Sequence, residues 1–205
     1  MAIDALPVRD MRATLRDVLD GEFERPDEAV AVIPIEWHSI LHEKVDSRMN
    51  KVALANCSAM RVLCNEYLAD VLYYLTREHG QLVIDAVATQ LNMRYDEFMA
   101  RHPAFAGQVA LVGFSLGGVC CFDILARQPG GAVPSSLADD ERAAPLLKFQ
   151  PSWLFTLGSP VAAVVVIRGW TMDHFRLPPW CRHQNIMHPC DPMRCNEGWV
   201  GRSAG

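Results

Sequence analysis

VALVGFSLGGVCCFDIL, residues 109–125, runs from a compact apolar segment through a glycine-rich turn into a second apolar segment. Val109 to Val112 has the length and character of a buried strand, and Leu116 to Arg127 is long enough to form a helix. Between them stands Gly113-Phe114-Ser115-Leu116-Gly117, the pattern G-x-S-x-G. A nucleophile elbow needs this setting: the serine sits on a strained turn, and small neighbours let the strand and helix pack closely. Ser115 is therefore the candidate nucleophile. The backbone N–H of Leu116, at the start of the helix, is a candidate oxyanion donor, reinforced by the positive end of the helix dipole. The plainer alternative is a glycine-rich β–α turn with an incidental serine.

Working outward, Val83, Val87, Leu91, Tyr95 and Phe98 recur at spacings of four and three, which predicts a helix over 79–99, closed by Pro103. Further helices are expected over 60–75 and over 10–19, the latter ending at Gly21. AVAVIPI (29–35) reads as a short buried strand despite Pro34, and 36–59 as a surface excursion. Beyond the turn, 128–148 clusters Gly, Pro, Ser and charge, and reads as a loop or insertion. Trp153–Leu157 and Ile186–His188 are expected strands, with 161–167 ambiguous between helix and strand. Strands alternating with helices predict an α/β fold, a mostly parallel sheet with helices on both faces, within a single domain spanning 1–205.

Composition agrees. The 205 residues are 50% hydrophobic and 21% charged, which excludes a disordered chain. A net charge of −5 gives no attraction to nucleic acid, and none to an anionic membrane through bulk charge. The charge-free stretch from Pro103 to Phe122 could span a bilayer by length, but its four glycines, with Gln108 and Ser115, favour a buried strand–turn–helix. Asp4 and Asp10 stand where a signal peptide would be basic and then apolar. Seven cysteines, two of them adjacent (Cys120 and Cys121), suit reduced thiols in the cytoplasm.

A serine nucleophile in this fold takes its partners in the order Ser, Asp, His. His188-Pro189-Cys190-Asp191-Pro192 follows an expected strand, and two prolines stiffen the loop around Asp191, the candidate acid; a simple turn aspartate is the other reading. All seven histidines precede Asp191. Either His183 or His188 serves as base by an unusual route, or the base lies beyond the C-terminus, which is the expectation adopted here. Cys181, His183, His188, Cys190, Asp191 and Cys195 are also possible metal ligands, but C-x-H…H-x-C departs from the usual zinc spacing. His38 reads as a packed strand-end residue.

These residues resemble a known family, the DDHD-domain intracellular phospholipases A1 that prefer phosphatidic acid. The resemblance begins at VIPIEWHSILH (32–42) and continues through NEYLADVLYYL (65–75), MARHPAFAG (99–107) and VALVGFSLGGVCCFDIL (109–125). It resumes at FQPSWLFTLGSPVAAVVVIRG (149–169) and NIMHPCDPMRCNEGWV (185–200), all in the family's order. It implies an α/β-hydrolase-like domain, here without its ends, with the DDHD region beginning at about 149 and running to 205. It also implies that Ser115 is the nucleophile and Asp191 the aspartate of an H-P-x-D-P motif. Phe114 replaces the family's usual histidine before the serine. The family's earlier His-Gly turn, a source of a second oxyanion donor, and its later Asp and His residues are not found in this sequence.

The implied activity is phospholipase A1-type hydrolysis of an acyl ester of a phospholipid, by a serine nucleophile and without metal or organic cofactor. The implied setting is cytoplasmic and peripheral on an intracellular membrane, with no transmembrane segment. Two other readings stay open. One is an inactive or truncated relative acting as a lipid-binding or trafficking interaction protein. The other is a metal-dependent site at His188 and Asp191.

Overall fold

The computed structural model describes residues 6–22, 29–36, 71–137, 143–171 and 173–191. In chain order the elements are α1 (Leu6–Glu22), α2 (Arg77–Arg101), β1 (Ala110–Phe114), α3 (Leu116–Ala126), β2 (Trp153–Leu157), α4 (Val161–Ile167) and β3 (Arg182–Ile186). The three strands form one parallel sheet in the order β1-β2-β3, with Gly113 opposite Thr156 and Thr156 opposite Asn185. The protein is thus α/β with a parallel sheet. No helix among the described residues is long and apolar enough to cross a membrane.

Strand alternation decides which side chains enter the core. On β1 and β2, Leu111, Gly113, Leu154 and Thr156 point to the buried side, where α3 packs with Val119, Phe122 and Ile124. α2 extends this core through Val83, Ile84, Val87 and Leu91, and α4 through Val161, Val164 and Val165. The predicted helical face of 79–99 is therefore the packed one, although Tyr95 and Phe98 are only half-buried. Among the described residues, α3 covers one face of the sheet. On the other, Val112, Phe114 and Ile186 stay 42%, 52% and 47% exposed, alongside the stacked rings of Trp153 and Phe155.

Two strand assignments need correction. Residues 29–36 form no strand: Val32 O accepts from the Arg12 guanidinium at 2.9 Å and Glu36 O from the Gln90 amide at 2.7 Å. These carbonyls are satisfied by helix side chains and not by a ladder, and Pro34 has no N–H to give one. β3 ends where Ile186–His188 was expected to begin. As a sheet edge with an alternating, half-exposed pattern, Arg-His-Gln-Asn-Ile lacks the apolar run that marks a central strand. The ambiguous 161–167 is helical. Of the helix expected over 60–75, residues 60–70 lie outside the described residues, as do 37–59 of the surface excursion; residues 71–74 are helical.

Candidate functional site

Ser115 follows β1 directly and caps the N-terminus of α3. Its backbone, at φ 48° and ψ −120°, is the one non-glycine residue with positive φ among those described. L-residues adopt such a conformation only when the surroundings impose it, at a cost of about 1–3 kcal/mol. Three hydrogen bonds impose it here. Ser115 N–H donates to Leu157 O at 2.9 Å, Gly118 N–H donates to Ser115 O at 3.0 Å, and the Ser159 hydroxyl donates to the same carbonyl at 2.6 Å.

The close strand–helix approach rests on Gly113 and Gly118. A Cβ on Gly113 would come within 2.5 Å of the Gly118 Cα, and one on Gly118 within 2.5 Å of Ser159 Oγ. Gly118 lies one residue past the five-residue motif, so the motif alone does not reveal it. The Ser115 Oγ is buried and has no hydrogen-bond partner among the described residues. Native proteins seldom leave such a group without a purpose. As the first residue of α3, Leu116 has no carbonyl four residues back within the helix to take its N–H.

Asp191 lies on the loop after β3, where its N–H closes a turn onto His188 O at 2.9 Å. Its Oδ2 would be 2.8 Å from a Cβ on Gly158, so the carboxylate sits against a residue where only glycine fits, at φ 54°. Leu157-Gly158-Ser159 therefore joins the two candidates. Leu157 and Ser159 hold the backbone of Ser115, while Gly158 donates to Ile186 O at 2.9 Å and carries the Asp191 side chain against it. Both candidates stand at the carboxyl end of the sheet, where open α/β sheets place their ligands. Phe114, which precedes Ser115 in the chain, is exposed.

The histidines divide differently. His183 faces the core from β3, edge-on to Phe122 at 5.5 Å, with Nε2 2.9 Å from Thr156 Oγ1. Thr156 gives its own proton to Asn185 Oδ1, so His183 Nε2 carries the hydrogen. Burial lowers the His183 pKa from 6.5 to about 4. The unfolded chain then binds a proton near pH 6.5 that the folded chain refuses until about 4, so stability is full above that window and falls as pH drops through it. The expected loss is roughly 2–3 kcal/mol. Urea midpoints measured from pH 7 to pH 4 should show it, and His183→Gln should flatten the slope; an unchanged slope in the variant would place the effect elsewhere.

His188 is exposed, and its Nδ1 accepts the Cys190 N–H at 3.2 Å. His79 and His174 bond to Thr76 and Thr171, and His102 packs on Phe98. His38 and His42 lie outside the described residues. Among the described residues no three His, Cys, Asp or Glu side chains are placed to hold an ion. The Cys181 thiol is held protonated by burial, its pKa pushed up to about 11, and Cys195 lies outside the described residues. Cys120, Cys121, Cys181 and Cys190 are all free thiols.

One buried group was not anticipated. Asp123, on the α3 side facing the core, is fully buried and takes two hydrogen bonds at 2.9 Å from one nitrogen of Arg168. It also accepts the Tyr74 hydroxyl, and Arg127 lies 3.5 Å from its carboxylate. Burial and then the Asp123 charge hold the Tyr74 phenol protonated. Asp123 ends the charge-free stretch that begins at Pro103, and a single charge inside an apolar helix is the signal that marks it.

No family model and no solved structure matches the chain. Among curated proteins, it is 33% identical over 127 residues to the triacylglycerol hydrolase DDHD2 of Mus musculus, covering 59% of this chain and 18% of that protein. It is 32% identical over 123 residues to the phospholipase SGR2 of Arabidopsis thaliana, covering 57% and 13% respectively. With the intracellular phospholipase A1 of Caenorhabditis elegans it shares 33% identity over 240 aligned residues, covering 94% of this chain and 28% of that protein. The chain thus spans less than a third of the length of each of these relatives. All three are members of the DDHD family, and it is to this family that the chain is related in sequence.

Proposed function

We propose that this chain carries the nucleophile and the acid of a phospholipase A1-type serine hydrolase acting on phosphatidic acid or a similar phospholipid. The observation that carries the reading is the Ser115 backbone, a strained non-glycine residue between strand and helix with its hydroxyl unpaired among the described residues. Relatives named as phospholipases and lipid hydrolases support it. In this reading the three described strands belong to an α/β-hydrolase sheet within one domain.

Ser115 Oγ attacks the sn-1 ester carbonyl while a histidine removes its proton, and the Leu116 N–H stabilises the oxyanion. Collapse expels the lysophospholipid alkoxide, which takes that proton, and water then hydrolyses the acyl-enzyme to free fatty acid and Ser115. Asp191 orients the histidine. His183 is tied to Thr156 and is not assigned this role. The chemistry needs no metal or organic cofactor. The exposed Phe114, Val112 and Ile186 offer an apolar surface beside the serine for an acyl chain at a membrane face.

The test is positional. Full-length protein given phosphatidic acid with distinct acyl chains at sn-1 and sn-2 should release the sn-1 fatty acid. Release from sn-2 would contradict the A1 assignment, and no ester cleavage of phosphatidic acid or phosphatidylcholine would contradict the hydrolase reading.

A further inference from the structure

Ser159 touches the candidate nucleophile at its backbone. It is buried, 1% exposed, and its hydroxyl donates to Ser115 O at 2.6 Å, where Gly118 N–H also donates at 3.0 Å. A carbonyl oxygen has two lone pairs, so these two donors complete it. A hydroxyl has one proton, and that of Ser159 is committed to this bond. The approach is possible because residue 118 carries no side chain: a Cβ there would stand 2.5 Å from Ser159 Oγ and 2.8 Å from Ser159 Cβ.

Ser115 O shares a peptide unit with the N–H of Leu116. That unit is planar and trans, so its C=O and N–H point in opposite directions. Gripping the oxygen therefore fixes where the N–H is aimed. The torsion that sets this plane is the Ser115 ψ of −120°, which with φ 48° lies outside the regions an L-residue ordinarily occupies. A hydrogen bond accepted by the C=O also polarises the amide, which makes its N–H a stronger donor. We propose that Ser159 is a positioning residue for the oxyanion site, holding the Leu116 N–H at the angle that meets the developing negative charge. The inference rests on the hydrolase reading and names a residue that reading does not use. Its effect belongs to the transition state, because a donor aimed at the oxyanion does less for the carbonyl of the bound substrate.

The experiment compares full-length wild type with Ser159→Ala. Each is first titrated to completion with an alkyl fluorophosphonate, so that rates refer to competent molecules alone. Turnover and KM are then measured on phosphatidic acid. The inhibition constant is measured for a long-chain trifluoromethyl ketone, whose carbonyl carbon adds Ser115 Oγ to give a tetrahedral oxyanion. In Ser159→Ala, kcat per titrated site should fall roughly 10–100-fold, less than the 10²–10³ for outright loss of a donor. KM should stay within about twofold, and the inhibition constant should rise in proportion to the fall in kcat/KM. Should the alanine variant fold poorly, Ser159→Cys, with a weak thiol donor, takes its place with the same readouts. A serine that only stabilised the turn would lower the melting temperature and the number of titratable sites. Unchanged kcat per site and unchanged inhibition in the variant, beside an active wild type, would overturn the positioning role alone. A wild type that neither titrates nor hydrolyses would overturn the hydrolase reading and this inference with it.

Discussion

Full-length protein carrying Ser115→Ala should hydrolyse phospholipid on the order of 10⁶-fold more slowly than wild type, the scale seen when a catalytic serine is removed from a hydrolase of this chemistry. The melting temperature should barely move, because the lost hydroxyl makes no hydrogen bond among the described residues and alanine keeps the same Cβ. A serine that merely occupied a tight turn would give the opposite pattern, with activity retained. Ser115→Gly sharpens the distinction. Glycine adopts φ 48° without steric cost, so this variant should be equally inactive yet more stable, by about 1 kcal/mol. Loss of activity joined to gain of stability is the signature of strain held for function. Steady-state turnover and urea denaturation of the three proteins check both halves.

Asp123→Ala should cost about 3–5 kcal/mol, the range for removing one partner of a buried ion pair. It strips Arg168 of both its 2.9 Å bonds, leaves the Tyr74 hydroxyl without its acceptor and removes the carboxylate 3.5 Å from Arg127, which keeps its bond to the backbone carbonyl of residue 123. For a chain of this size that corresponds to a melting temperature lower by roughly 6–20 °C. Arg168 is held charged because the Asp123 carboxylate outweighs the burial that disfavours its cation. It also lies over the rings of Tyr74 at 5.5 Å and Trp170 at 4.9 Å, so one carboxylate ties α3 to α4 and to the helical turn at residues 71–74. Replacing both charges, as Asp123→Leu/Arg168→Met, should recover part of the loss, since Arg168 is no longer left as a cation without its carboxylate, while Arg127 still loses the carboxylate 3.5 Å away. If the single variant melts with wild type, the network does not support the core.

Which parts of the structure the sequence disclosed follows from how each element is buried. Trp153–Leu157 is the central strand of the described sheet, apolar but for Thr156, and its predicted bounds match those observed. The 3.6-residue periodicity of α2 was equally plain, as was the strand–turn–helix around Ser115. β3 was misplaced because an edge strand needs only alternate residues turned inward, and those are His183 and Asn185, which satisfy their polarity through Thr156. AVAVIPI has strand composition but lies between α1 and α2 away from any ladder, so tertiary placement overrode its local preference. At the site, residue type announced Ser115 and Asp191. Ser159 and Gly158, which fix their positions, sit in an ordinary-looking Leu-Gly-Ser-Pro turn whose meaning appears only once β1, β2 and β3 are side by side.

The central claim is that Ser115 is an activated nucleophile, and covalent trapping tests it most directly. An alkyl fluorophosphonate loses fluoride to an activated serine hydroxyl and leaves a stable phosphonate ester, which mass spectrometry of tryptic peptides assigns to a residue. The account predicts one adduct on full-length protein, at Ser115, abolished by Ser115→Ala and slowed by Asp191→Asn. An unlabelled wild-type protein, or an adduct that persists in Ser115→Ala, would contradict it.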